Sequence, residues 1–241
     1  MSTIEQAAPN ATPTRPYGRS VLASACARWW RGTWVLLAVI ILNAAIQAAL
    51  VACNPLPGSG VLAAVLALVS GIVLLVAAAL VVNTALLATT CRVGFKTAVA
   101  KTRAHFWLFC CWAVIWFIVV TVGLMVHTWP GALIAAVTPF VVIAAADGKR
   151  NAIGANFRAI GSRFGRFVVT LIIIGIIMLV FHLLATANSF FIGGSAAAFV
   201  LWVALGLVGS WLVVGWSLLY RATKVGQAPF AAVESGEPAV Q

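Results

Sequence analysis

Groups able to act as acids, bases or metal ligands are few in this 241-residue chain, and their spacing suits no familiar catalysis. Asp147 is the only acid between residues 6 and 233, and it lies beside Lys149 and Arg150. General acid–base chemistry needs paired carboxylates, or a carboxylate that orients a histidine, and the sequence offers neither. The histidines are His105, His127 and His182. In the topology argued below, His127 and His182 approach the same outer face, but two imidazoles without a carboxylate or thiolate make a poor metal set. Cys26, Cys53, Cys91, Cys110 and Cys111 include no CxxC spacing, so neither a zinc site nor a disulfide framework follows. There is no nucleophile elbow, glycine-rich phosphate loop or nucleotide motif. The expectation is a protein without catalytic residues, cofactor or metal, and not an enzyme.

Polar residues within the apolar segments are more informative. Asn43 and Gln47 are four apart and share one helix face. Asn83 lies a comparable distance from the cytoplasmic end of its own segment, so depth alone would let it pair with Asn43. Buried amides in lipid act as glue between helices, at about 0.6 kcal/mol each and up to ~2. Ala63, Ala67 and Gly71 form a ladder of small residues, and Gly206 with Ser210 forms another, each permitting close approach of a neighbouring helix or partner.

These residues are positioned by an all-α, polytopic architecture. The chain is 63% apolar and 8% charged, against about 25% charged in ordinary soluble domains. Spans are expected at Trp34–Cys53, Val61–Ala88, His105–Val126, Ala132–Ala146, Phe167–Ala187 and Ala196–Tyr220. The second is long enough to tilt or protrude, and the fourth is short with Pro139 inside it. All fifteen lysines and arginines fall in the segments on one side of this pattern. The loops Asn54–Gly60, His127–Gly131 and Asn188–Ser195 carry no charge. Basic short loops stay in the cytoplasm, so both termini are expected inside a bacterial inner membrane. The net charge of +11 is thereby spread one cluster per loop, which fits topology and anionic lipid headgroups rather than nucleic acid. Residues 1–14 and 226–241 read as disordered cytoplasmic tails around a six-helix domain, 15–225. No signal peptide is read before the first span, which is expected to serve as its own insertion signal.

Basic, aromatic stretches precede the first, third and fifth spans: ASACARWWRGTWVL, AVAKTRAHFWLF and RAIGSRFGRFVV. Each unit then reads as an interfacial helix followed by a transmembrane hairpin, three units in all. In the third, Ile153, Phe157, Ile160 and Phe164 make one apolar stripe with Arg158, Arg163 and Arg166 largely off it, a pattern suited to the membrane plane or to a cytoplasmic partner. Trp29, Trp30, Trp34, Trp129 and Trp216 read as interfacial belt residues. The bulky run TLIIIGIIML in the fifth span suits lipid or another subunit.

The stretches RWWRGTWVLLAVIILNAAIQAALVACNP and TPFVVIAAADGKRNAIGANFRAIGSRFGRF, behind a disordered tail, resemble the LucB-like accessory membrane subunits of the Mce lipid-import complexes of mycobacteria, among the actinobacteria. That resemblance implies a non-catalytic subunit beside a YrbE-type permease pair, Mce proteins and a cytoplasmic ATPase. It transfers no site residue. The absence of Asp, Glu, Lys and Arg from the spans agrees, because intramembrane charge usually marks ion coupling and gating. A different reading is a small lipid flippase or channel with Asn43, Gln47 and Asn83 as its polar path. Topology can be tested directly. Cysteines placed singly at Ser59 and Ser195 should react with an impermeant thiol reagent in intact cells, and one at Ser2 should stay unlabelled.

Overall fold

The computed structural model describes residues 21–53, 60–162, 164–173, 175–176 and 194–223. The expected tails, the Asn54–Ser59 stretch, His182 and most of the outer half of the fifth span lie outside them. The described residues are helical, with no strand: α1 (Val21–Trp29), α2 (Thr33–Cys53), α3 (Val61–Ala88), α4 (Phe95–Val126), α5 (Thr128–Val137), α6 (Phe140–Ala146), α7 (Ala152–Ser162), α8 (Phe164–Ile173) and α9 (Gly194–Arg221). Four of them, α2, α3, α4 and α9, are long and apolar enough to cross a membrane.

The first of the three expected units opens with a basic helix, α1, that breaks before its span. The backbone turns at Trp30–Gly32, where Arg31 and Gly32 donate to the carbonyls of Arg28 and Trp29. A Cβ at Gly32 would lie 2.9 Å from the Thr84 methyl, so glycine lets α2 start against α3. The second unit departs from expectation. Its interfacial stretch and its span form one 32-residue helix, α4, bent at His105 where φ is −121° and ψ is 15°.

The expected fourth span, Ala132–Ala146, is also revised. It is the two short helices α5 and α6, interrupted at Thr138–Pro139, because proline lacks the N–H of a continuing helix. The expected loop His127–Gly131 shrinks to His127 alone, held in an extended conformation at the end of α4. The hairpin closes that sharply because two glycines meet across it. A Cβ on Gly123 would sit 2.9 Å from the Gly131 Cα, and one on Gly131 would sit 2.5 Å from the Leu124 backbone N.

Packing joins the ends of the chain. α9 lies against α1, α2, α3 and α6, while α4 lies against α3, α5 and α6. At the centre is an aromatic cluster in which Phe140 meets Trp216 edge to face at 5.3 Å, with Phe167 and Tyr220 alongside. Trp216 is therefore a core residue, not a belt residue, and is 8% exposed. Trp30 and Trp34 do face outward. The buried side chains concentrate at the basic end of the bundle, whereas Val61–Ile72 of α3 is largely uncovered by the described residues. Gly131→Ala should therefore lower the stability of the detergent-solubilised protein by about 1–3 kcal/mol, through overpacking at the hairpin. Gly71→Ala, with nothing within 4 Å of a new Cβ, should leave the thermal midpoint unchanged or slightly raised.

Candidate functional site: the interior polar groups

Asn156 is the interior side chain that does most to shape the fold, and it is fully buried on α7. Its Oδ1 accepts from the Phe140 backbone N–H at 3.0 Å, and its Nδ2 donates to the Val137 carbonyl at 2.9 Å. These are backbone groups at the α5–α6 break, which hydrocarbon would otherwise leave unsatisfied at several kcal/mol each. The Thr138 hydroxyl completes the repair by donating to the Ile134 carbonyl and accepting from Trp116 Nε1 at 2.7 Å.

Asp147 caps the C-terminal end of α6, and its side chain is buried, 2% exposed. Arg221, at the end of α9, donates from Nη2 to Asp147 Oδ1 at 2.7 Å, and the Tyr220 hydroxyl donates to Oδ2 at 3.4 Å. Burial pushes the Asp147 carboxyl above the ordinary carboxylate range, against the opposing pull of Arg221, Lys101 and Lys149 and of the Tyr220 hydrogen bond. Gly148 follows in the left-handed region at φ +83°, and a Cβ there would come within 3.0 Å of the His105 ring. The α4 bend, the end of α6 and the end of α9 thus meet at one carboxylate. Asp147 was visible in the sequence as the sole acid of the domain. Nothing there pointed to Arg221, which lies 74 residues away.

The basic pair Arg28 and Arg31 also has partners. Arg28 donates to the Thr89 carbonyl at 2.6 Å and Arg31 to the Thr90 carbonyl at 3.4 Å. Cations just past a helix C-terminus satisfy its orphan carbonyls and oppose its dipole. Burial lowers the Arg28 pKa, and the neighbouring Arg31 lowers it further.

The residues singled out in sequence divide into three groups. Asn43 and Gln47 are both buried on α2, and Gln47 forms a reciprocal pair with Ser70 of α3 through a 2.7 Å bond from the serine hydroxyl and a 3.3 Å bond to its carbonyl. Asn83 is buried as well, but it does not pair with Asn43; its Nδ2 donates to the Ala79 carbonyl within its own helix at 2.9 Å. The helix register explains why. With Gln47 opposite Ser70 and Gly32 opposite Thr84, Asn83 falls beside residues 33–34, some ~14 Å along α2 from Asn43 at 1.5 Å per residue. Asn43 Oδ1 and Asn83 Oδ1 have no hydrogen-bond partner among the described residues. The expected three-residue patch is thus two separate places.

The small-residue ladders differ in the same way. A Cβ on Gly206 would lie 2.6 Å from the Ile40 side chain, and Ser210 accepts from Trp29 Nε1 at 2.9 Å, so that ladder is occupied by α2 and α1. On α3, Ala67 and Gly71 are exposed and Ala63 is half-buried. No cluster of three metal-ligating side chains occurs among the described residues.

No family model matches the chain, and neither a curated protein nor a solved structure does. Removing one partner of a buried ion pair strands the other at about 3–5 kcal/mol. Asp147→Asn should accordingly unfold the detergent-solubilised protein far more readily than the paired replacement Asp147→Leu with Arg221→Met. Thermal unfolding of the two variants side by side measures this; equal loss in both would mean that the pair holds nothing together.

Proposed function

We propose that this chain is a six-span, non-catalytic subunit of a bacterial inner-membrane lipid-import complex of the Mce type, with both termini cytoplasmic and its flank docked on YrbE-type permease subunits. The α5–α6 pair, about 28 Å long at 1.5 Å per residue, runs back along α4 and serves as one broken crossing. On this proposal the expected fifth span, Phe167–Ala187, supplies another.

One observation carries the reading: the interior polar groups hold helices to each other. Asn156 closes a helix break, Gln47 ties α2 to α3, and Asp147 ties α6 to α9. Such a protein contributes shape and adhesion, and it leaves energy coupling to a separate cytoplasmic ATPase. The flippase alternative loses its continuous polar path, because Asn83 stands apart from Asn43 and Gln47.

The same geometry narrows the docking face. Gly206 and Ser210 are covered within the chain. The Ala63, Ala67 and Gly71 face of α3 is largely uncovered by the described residues, as are Val169, Ile172 and Ile176 in the fifth apolar segment. In lipid, close packing of small residues drives helix association, which favours α3. Affinity purification of the tagged protein from native membranes should recover permease and ATPase subunits in fixed proportion. Ala67→Leu with Gly71→Leu should reduce that recovery at least tenfold while leaving the purified protein's thermal midpoint within a few degrees. Purified protein that moved lipid across liposomes by itself would defeat this reading in favour of the flippase.

A further inference from the structure

The first three turns of α4 carry two opposed faces. Ala98 and Thr102 are buried against the bundle, with Ala98 packed beside Val35 and Val39 of α2. On the other side, Phe95, Lys96, Val99, Ala100, Arg103 and Ala104 line an open groove of about 730 Å³. All six are exposed. At 100° per residue, Lys96 and Arg103 fall within about 20° of each other along the middle of this face, two turns apart. Phe95 and Val99 flank them on one side and the two alanines on the other. Beyond the His105 bend, Trp107 is 79% exposed, a side chain suited to the membrane–water boundary.

This face differs from two other basic places in the protein. Arg28 and Arg31 are engaged by the end of α3, and Arg221 by Asp147. Lys96 and Arg103 make no side-chain hydrogen bond or ion pair with the described residues. Two cations over an apolar bed complement a ligand that has a negative head and a hydrocarbon body. The first turn of α4 adds to the attraction, since Gly94 offers no side-chain cap to its backbone N–H groups.

We propose that this groove binds one anionic phospholipid, its phosphate between Lys96 and Arg103 and its glycerol and upper acyl chain against Phe95 and Val99. The site is independent of the docking reading above, because it needs only the isolated chain.

The test uses the full-length protein, purified in a neutral detergent and stripped of lipid, with binding of phosphatidylglycerol and phosphatidylcholine followed by native mass spectrometry. Phosphatidylglycerol should bind preferentially. Lys96→Gln with Arg103→Gln should weaken it about twenty-five-fold, each base near the surface being worth about fivefold. These side chains are exposed, and an unchanged thermal midpoint will show that the variant folds. Phe95→Ser should weaken phospholipid binding and leave binding of water-soluble glycerol phosphate unchanged. The control, Arg150→Gln with Arg158→Gln, removes the same charge elsewhere and should change affinity less than twofold. An equal loss in the control would mean diffuse attraction to a basic surface and would overturn the site. Glycerol phosphate binding as tightly as the phospholipid would make it an anion site and overturn the lipid assignment.

Discussion

A proline in the middle of an apolar segment imposes the condition that the rest of this fold meets. Pro139 supplies no N–H and stops the helix running through Val137, so the neighbouring backbone groups lose their partners in an environment without water to replace them. Asn156 answers with both ends of one amide, reaching from α7 to a donor and an acceptor on either side of the break. That reach requires α7 to lie flush on α6. The alanines Ala152, Ala155 and Ala159 make this possible by keeping the contacting face of α7 flat. The bulky Ile153 and Phe157 are displaced to the outside.

The docked α7 leads directly into α8, which delivers Phe167 to the ring cluster around Phe140 and Trp216. Aromatic contacts of this kind add about 0.5–1.5 kcal/mol per pair beyond the area they bury. They also fix the rotation of α9, and that rotation places Tyr220 and Arg221 on Asp147. The ion pair specifies alignment more than it adds stability, since burying two charges costs about what their attraction returns. Its location at the ends of α6 and α9 softens that cost, for Arg221 remains 14% exposed.

Much of this architecture was legible in the sequence, and the limits have physical causes. The bounds of α3 follow from the text alone, and those of α2 and α9 to within two residues, because long apolar runs between charge clusters leave few alternatives. Pro139 was visible as a flaw in the fourth segment, but its remedy was not, since an asparagine seventeen residues later has no local signature. The supposed pairing of Asn43 with Asn83 failed on register. Equal depth from the basic ends of two helices does not set their register, and α3 overhangs the start of α2 by about a turn, which the Gly32 contact with Thr84 allows. Arg28 and Arg31 read as lipid contacts and topology signals, and sequence cannot show that they also cap a neighbouring helix.

Small residues illustrate the same limit from the other side. Five positions, Ala63, Ala67, Gly71, Gly206 and Ser210, carry one signal in the sequence: room for a close neighbour. Gly123 and Gly131 carry it too, eight residues apart across a turn, where a three-residue spacing search overlooks them. The fold fills the room at Gly206, Ser210, Gly123 and Gly131 with parts of the same chain. Along Ala67 and Gly71 the described residues do not, although α3 is an apolar helix of 28 residues. A lipid-facing helix gains nothing from small side chains, because acyl chains cover leucine as readily as glycine. Their cost in a helix is real, about 1 kcal/mol for glycine relative to alanine. A face of small residues such as this one, left uncovered by the described residues, permits the close approach of a further helix.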